Sequence, residues 1–237
     1  MPLPGFWAGL ALPRARHQAS REHPRISPHA RLGLVVVVVI GVAASWLLQA
    51  LPQAAQPLTR TPVVAGVLDD RGSPRAGPAT ANVTIVVFTD YRCGICQVTD
   101  PALERILVKD QGVQVVYKDW PIRGPDSHAA AHAALAAERQ GRYRAFHSAL
   151  MASRGPLDPA RLDQIAAGAG LDVERLRADQ RAYADEIDAQ LARHRIQAFG
   201  LGLAGTPAYL VGPFLIQGGL DDRQLAAAIR RARRATR

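Results

Sequence analysis

The only two cysteines of the chain stand three positions apart, as Cys93-Gly94-Ile95-Cys96, at a seam between two kinds of sequence. Before them, Asn82–Thr89 (NVTIVVFT) is a run of β-branched and aromatic residues bounded by polar ones, which predicts a buried strand. After them, helix-forming sequence continues to about Lys109 and is stopped by Gln111-Gly112. Val113–Lys118 (VQVVYK) predicts a second strand. Strand, helix and strand in that order argue for a parallel pair joined by a right-handed crossover.

A cysteine at the start of a helix meets unsatisfied N–H groups and about half a positive charge, which favour thiolate over thiol at Cys93. Cys96 follows one turn later, so a disulfide between the two can form and open. Arg92 adds a neighbouring cation, and Pro101 inside the same helix predicts a kink. Two cysteines build neither a multi-disulfide scaffold nor a four-thiolate zinc site. Three uses of the pair remain: inert packing, metal binding and redox chemistry. Zinc would need further ligands, for which only His128 and His132 stand at a helical i, i+4 spacing. Copper transport would favour methionines, and the chain has only Met1 and Met151. The pair is therefore assigned no metal. His128 and His132 are read as packing or surface residues. A redox dithiol suits a chain exported to an oxidising compartment.

Export is what the charge pattern predicts. No charged residue occurs from Leu32 to Thr59, and Leu32–Leu51 (LGLVVVVVIGVAASWLLQAL) is long enough, as a helix of about 30 Å, to span the hydrocarbon core. Trp46 suits an interfacial anchor. Arg14, Arg16, Arg21, Arg25 and Arg31 all precede the span and none follows it before Arg60, which places the N-terminus in the cytoplasm and the rest outside. A cleaved signal peptide is the competing reading; against it stand 31 preceding residues and the lack of an A-x-A site. The expected organisation is a basic cytoplasmic tail (1–31), a transmembrane anchor (32–51), a tether (52–62) and one periplasmic or otherwise extracytoplasmic domain (63–237).

The formal charge of +9 could suggest a nucleic-acid partner. Residues 1–31 carry +4 and residues 223–237 carry +6, whereas residues 60–222 hold 18 basic and 19 acidic side chains. Basicity confined to two ends is no binding groove, and no nucleic acid is expected. The arginines at the C-terminus read as a solvated helix end.

Within the outer domain, Val63–Leu68 predicts a short edge strand and residues 69–81 a turn-rich loop. Residues 125–200 are mostly helical. Ser127–Gln140 is stopped by Gly141, and Arg142–Ala152 follows. Asp158-Pro159 opens a helix to about Ala167, and Asp172 caps another running toward Phe199. Ala208–Val211 and Phe214–Gln217 predict a hairpin, and Asp221 caps a last helix.

Three segments together resemble the DsbA-like branch of the thioredoxin superfamily: FTDYRCGIC around the cysteines, DSHAAAHAALAAERQGRYRAFHSALM in the helical block, and GTPAYLVG, Gly205 to Gly212. The resemblance runs over about residues 63–235. It implies an α/β thioredoxin fold with an inserted helical subdomain (about 125–200), and thiol–disulfide exchange on exported cysteine-containing proteins. It implies that Cys93 attacks and Cys96 resolves, that Thr206 and a cis-Pro207 face the pair and bind substrate, and that the redox-active disulfide is the sole cofactor. Arg92, Gly94, Ile95, Asp90 and Lys118 are candidates for tuning the pair, the last two from the ends of the central strands. Asp119 lies beside Lys118 and is read the same way.

Two departures bear on the direction of electron flow. The dipeptide Gly94-Ile95 replaces the Pro-His of the strongly oxidising relative, and Thr before the cis-proline is also found in reducing and isomerising ones. Isomerase relatives dimerise through a separate N-terminal domain, for which residues 52–81 are too few, so a monomeric, disulfide-forming domain with a membrane redox partner is the expectation. A reductase or isomerase kept reduced by a membrane partner is the alternative. A thioredoxin-fold copper or zinc carrier is the other.

Overall fold

The structure, a computed structural model, describes residues 33–42 and 55–235. The chain divides into two units, Met1–Pro52 and Gln53–Arg237. In the first, residues 33–42 form a helix, α1, with its valines exposed. No helix among the described residues is long and apolar enough to cross a membrane. The expected tail and most of the expected span and its flank, residues 1–32 and 43–54, lie outside the described residues.

The second unit is built on a six-stranded sheet. Its elements in chain order are β1 (Gln56–Pro57), α2 (Pro62–Leu68), β2 (Arg75–Ala76), β3 (Val83–Thr89), α3 (Gly94–Lys109), β4 (Val113–Asp119), α4 (Pro125–Ala137), α5 (Tyr143–Ala152), α6 (Pro159–Gly168), α7 (Val173–Ala182), α8 (Ala184–Gly200), β5 (Ala208–Val211), β6 (Phe214–Gln217) and α9 (Asp222–Ala235). The strand order is β1-β6-β5-β3-β4-β2. β3 and β4 run parallel in register from Val83↔Val113 to Thr89↔Asp119, with α3 as the crossover. β5 lies antiparallel to β3, and β6 closes the hairpin. Helices α4 to α8 form the insertion between β4 and β5.

Both faces of the sheet are covered, which is why its central strands are almost continuously apolar. Val83, Ile85, Val87, Val113, Val115 and Tyr117 face α3 and much of the insertion. Val86, Phe88 and Val116 face the opposite way, onto Val64 and Val67 of α2 and Ala198 of α8. This alternation decides which strand-end side chains can reach the cysteines.

Helix starts were well marked. Asp158 accepts from Arg161 N (2.8 Å) with Pro159 at the first helical position, and Asp172 accepts from Arg175 N (3.0 Å). At α9, Asp221 and Gln224 exchange two hydrogen bonds (2.8 and 2.9 Å) in a reciprocal cap.

Two element assignments need correction. Val63–Leu68 is not an edge strand but belongs to α2. Its β-branched residues suggested a strand, but Thr61 caps Val64 N (3.3 Å), Pro62 opens the helix, and Val64 and Val67 recur at helical spacing to be buried. The edge strands come from its flanks: β1 falls within the stretch read as tether, pairing Gln56 with Leu215, and β2 falls within the loop 69–81. The helix from Asp172 also does not run unbroken to Phe199. Tyr183 leaves helical geometry (φ −118°, ψ 23°), dividing α7 from α8, and the Arg139 guanidinium stacks 3.2 Å over its ring. Pro101 lies inside α3, which continues through it to Lys109.

Candidate active site

β3 ends at Thr89, and Asp90-Tyr91-Arg92 turns the chain into α3. Cys93 is the N-cap residue, with extended backbone (φ −86°, ψ 111°) and its N–H donated to the Asp90 carbonyl (3.1 Å). Asp90 is 1% exposed, and its carboxylate accepts from the N–H groups of Arg92 (2.7 Å), Ile122 (2.7 Å) and Arg123 (3.0 Å). It therefore ties the turn before the cysteines to the loop after β4. The carboxylate thus has a fixing role, while the Asp90 backbone N–H faces the Cys96 sulfur.

Both sulfurs are covered: Cys93 is 1% and Cys96 2% exposed, although Arg92, Gly94 and Ile95 around them are exposed. Both residues are free thiols. Across from them the Thr206–Pro207 peptide is cis. Cys93 Sγ donates to the Thr206 carbonyl at 3.3 Å, and the Pro207 carbonyl accepts from Gly218 N (2.8 Å), tying the loop to the end of β6. The structure thus brings Cys93, Cys96, Thr206 and Pro207 together from two segments more than a hundred residues apart. Gly219, not singled out in the sequence, completes the packing, because a Cβ there would meet Thr99 Cγ2 at 2.6 Å and Ile95 Cγ2 at 2.9 Å.

The two thiols are polarised in opposite directions. Cys93 is lowered to about 5, first by the hydrogen bond from the Cys96 thiol; burial opposes this, and the N–H groups of Cys96 and Ile95 and the Thr206 side chain add to it. Ionised Cys93 can no longer donate to the Thr206 carbonyl. The Thr206 hydroxyl, buried without a partner in the thiol form, is the group free to turn toward it. Cys96 is pushed far above the usual thiol range by its bond to Cys93, by burial and by its neighbour's charge. One proton is shared, and Cys96 keeps it.

The remaining candidates are placed as follows. Arg92 donates its guanidinium to the Gly155 carbonyl in the loop after α5. Lys118 is not brought to the cysteines: it projects from the opposite face of the sheet, where Nζ meets Asp70 Oδ2 (2.6 Å) and Ser73 Oγ (2.8 Å). The reason is the two-residue period of β4, which sends Tyr117 and Asp119 to the cysteine side and Lys118 away. His128 meets Asp188 (3.7 Å), and His132 meets Gln180 (3.5 Å) on the insertion.

Asp119 joins a buried cluster that sequence reasoning missed. Its oxygens accept from Tyr143 OH (3.0 and 3.1 Å); Tyr91 OH meets His147 Nδ1 (2.9 Å), and His147 Nε2 meets Asp100 Oδ1 (2.9 Å). Burial lifts Asp119 to about 6. His147 is raised despite its burial, through its hydrogen bond to Asp100 and the nearby acids. The cluster clamps α3, β4 and α5 together beneath the cysteines. The one sequence signal for it was Asp100, one turn beyond Cys96.

Comparison with known proteins places this geometry. A family model described as a DSBA-like thioredoxin domain matches residues 84–230. Among solved structures, a thioredoxin-like oxidoreductase from Silicibacter pomeroyi is 38% identical, covering 72% of this chain and 97% of that one with a TM-score of 0.68. A periplasmic thioredoxin-like protein from Salmonella enterica is 29% identical over 73% of this chain and 97% of that one (TM-score 0.64). The thiol-disulfide exchange protein α-DsbA2 from Wolbachia pipientis is 26% identical over 70% and 90% (TM-score 0.67). A curated relative, the Na(+)/H(+) antiporter NhaA 1 of Salinispora arenicola, is 30% identical over 228 residues, covering 88% of this chain and 33% of that one. The chain spans about a third of the length of the curated relatives it matches.

Proposed function

The chain belongs to the DSBA-like thioredoxin domain family, and from that premise we propose that it is a thiol–disulfide oxidoreductase that forms disulfides in exported proteins. The observation that carries the direction is the polarised pair: Cys93 is held at about 5 chiefly by Cys96. A stabilised thiolate is a good leaving group, and it favours the dithiol over the disulfide, which makes the disulfide form an oxidant.

In the forward reaction a substrate thiolate attacks Cys93 Sγ of the Cys93–Cys96 disulfide. The S–S bond breaks, and Cys96 leaves with the electron pair and takes up a proton. A second substrate thiolate then attacks the substrate sulfur of the mixed disulfide, forming the substrate disulfide and releasing Cys93 as thiolate. Two electrons pass from substrate to the pair, and a disulfide-bearing redox partner in the membrane takes them on. Thr206 and Pro207 flank Cys93, and the backbone there offers an edge on which an extended substrate can pair as a temporary strand. Residues 32–51 hold the domain to the membrane, with residues from about 52 onward outside. The Salmonella neighbour is named as periplasmic, in keeping with this compartment.

The test is the reduction potential of the pair, by equilibration with glutathione. A disulfide-forming protein should lie above about −180 mV. A value near −270 mV, typical of thioredoxin, would overturn the direction and favour the reductase reading.

A further inference from the structure

The rim around Cys93 has two characters. On the α3 side it is apolar, with Ile95 56% and Val98 74% exposed. On the other side it is cationic. The Asp90 carboxylate draws the backbones of Arg92 and Arg123 together, and the Arg92 guanidinium reaches the Gly155 carbonyl, next to Arg154. All three arginines are exposed, and among the described residues none has a carboxylate within ion-pair distance. Asp90 itself is buried and fully engaged by N–H groups. Asp126, the first acid after Arg123, accepts from Leu157 N (3.2 Å).

The cationic side leads into a groove of about 470 Å³ between α3 and α5, which starts one turn below Cys93 at Gln97 and includes Pro101, Met151 and Arg154. Its other charges are answered within the domain: Glu104 by Arg144 (2.8 Å), Arg105 by Asp222 (2.8 Å) and Asp100 by His147 (2.9 Å). Arg154 spends one guanidinium nitrogen on the carbonyls of Met151, Ala152 and Ser153 and meets no acid. The groove therefore presents an apolar floor and one unanswered cation.

We propose that this rim and groove select substrate cysteines flanked by aspartate or glutamate. The inference rests on the exchange reading and gives it a substrate class: extended acidic peptide segments whose carboxylates meet Arg92, Arg123 and Arg154 while the cysteine meets Cys93. Exposed guanidinium groups attract carboxylates over several ångströms, so the preference should appear in encounter and be screened by salt.

The test uses the full chain in nanodiscs with the pair oxidised. The probes are three synthetic dithiol peptides identical except for Glu, Gln or Lys beside the cysteines. Oxidation of each dithiol to a disulfide, with stoichiometric reduction of the Cys93–Cys96 disulfide, is followed in a single turnover as a second-order rate constant. The Glu peptide should exceed the Lys peptide on the order of tenfold at low salt, and the gap should narrow at high salt. Arg123→Glu should bring the ratio below one, and Arg154→Gln should lower it on its own, so the result does not depend on one variant folding. Equal rates for the Glu and Lys peptides, or a ratio unchanged in both variants, would overturn the proposed preference. Failure to oxidise even the Gln peptide would instead overturn the exchange reading, and this inference with it.

Discussion

Two polar clusters are buried on opposite faces of the same sheet, and they differ in how firmly their protons are placed. Behind the sheet, Lys118 Nζ donates to Asp70 (2.6 Å) and to Ser73 Oγ (2.8 Å), and Ser73 Oγ meets His194 Nε2 (2.9 Å). His194 Nδ1 faces the Asp119 carbonyl (3.1 Å), which can only accept. Burial and the Lys118 cation hold His194 down to about 3, so its ring is neutral, with the proton on Nδ1. The chain of donors then runs in one direction, from Lys118 through Ser73 and His194 to Asp119, while Gln197 donates to Asp70 (3.1 Å) and keeps its own Oε1 buried without a partner. In front of the sheet, two sulfurs share one proton, and the Thr206 hydroxyl has no partner. A network whose protons have fixed places holds strands together, whereas an open one, with a proton passed between two sulfurs, leaves room for a third. The difference separates structural polar residues from chemical ones more sharply than their burial does, since Lys118 (0% exposed) and Cys93 (1%) are equally hidden.

The largest expected effects set the two clusters against each other. Cys93→Ser should abolish disulfide exchange while the domain stays folded. Lys118→Met should do the reverse. It leaves the Asp70 carboxylate without its cation and should cost about 3–5 kcal/mol, read by denaturant unfolding of the full chain. Its exchange rate, measured below the unfolding transition, should stay within about twofold of the parent. A Lys118→Met protein of parental stability but slow exchange would show that the clusters are coupled through β4 and would break the comparison.

A smaller effect sharpens the front cluster. The Cys96 thiol is the leading cause of the low Cys93 value. A hydrogen bond to a charged group is worth about 1.5–3 kcal/mol, so Cys96→Ala should raise the Cys93 midpoint by about one to two pH units. Thiolate absorbance against pH measures it. Because Cys93 is lowered from 9.0 to about 5, the folded dithiol form gains stability as pH rises from about 5 toward 9 and loses that gain as pH falls through 5. In Cys96→Ala the window should begin at higher pH. A midpoint unmoved from about 5 would assign the depression to the helix N–H groups instead.

Much of this site could be read along the chain, because its signals are local. The cysteine pair, the strand before it, the helix caps at Asp158 and Asp172, and the hairpin around Gly212-Pro213 depend on neighbours within a few residues. The pairing of Cys93 with Thr206 came from resemblance, since a bond across 113 positions leaves no local trace. The errors have distinct physical sources. Val63–Leu68 was read from its β-branched residues when the cap at Thr61 and Pro62 outweighed them. Lys118 was placed by its strand-end position when strand parity sent it to the other face. His147, Asp100, Tyr91 and Tyr143 were unreadable as a cluster, because their common neighbourhood exists only once α5 packs on α3.

The smallest effect tests the one loose end in the front cluster. In the thiol form, Cys93 Sγ donates to the Thr206 carbonyl at 3.3 Å, and the Thr206 hydroxyl is buried without a partner. When Cys93 ionises, the carbonyl becomes an unfavourable neighbour for the sulfur, and the hydroxyl becomes the nearest compensating donor on that residue. Thr206→Val keeps the shape, the β-branching and the carbonyl, and removes only this donor. The Cys93 midpoint should then rise, but by less than in Cys96→Ala, because Thr206 ranks behind the Cys96 thiol and N–H as a cause of the depression. A rise of about half a unit to one unit is expected. The dithiol would be less stabilised, and the reduction potential should shift in the reducing direction with it. Thr206→Ser, which restores a hydroxyl, should recover most of the change. If Thr206→Val titrates like the parent, the idle hydroxyl has no part in holding the thiolate, and the open character of the front cluster reduces to its shared proton.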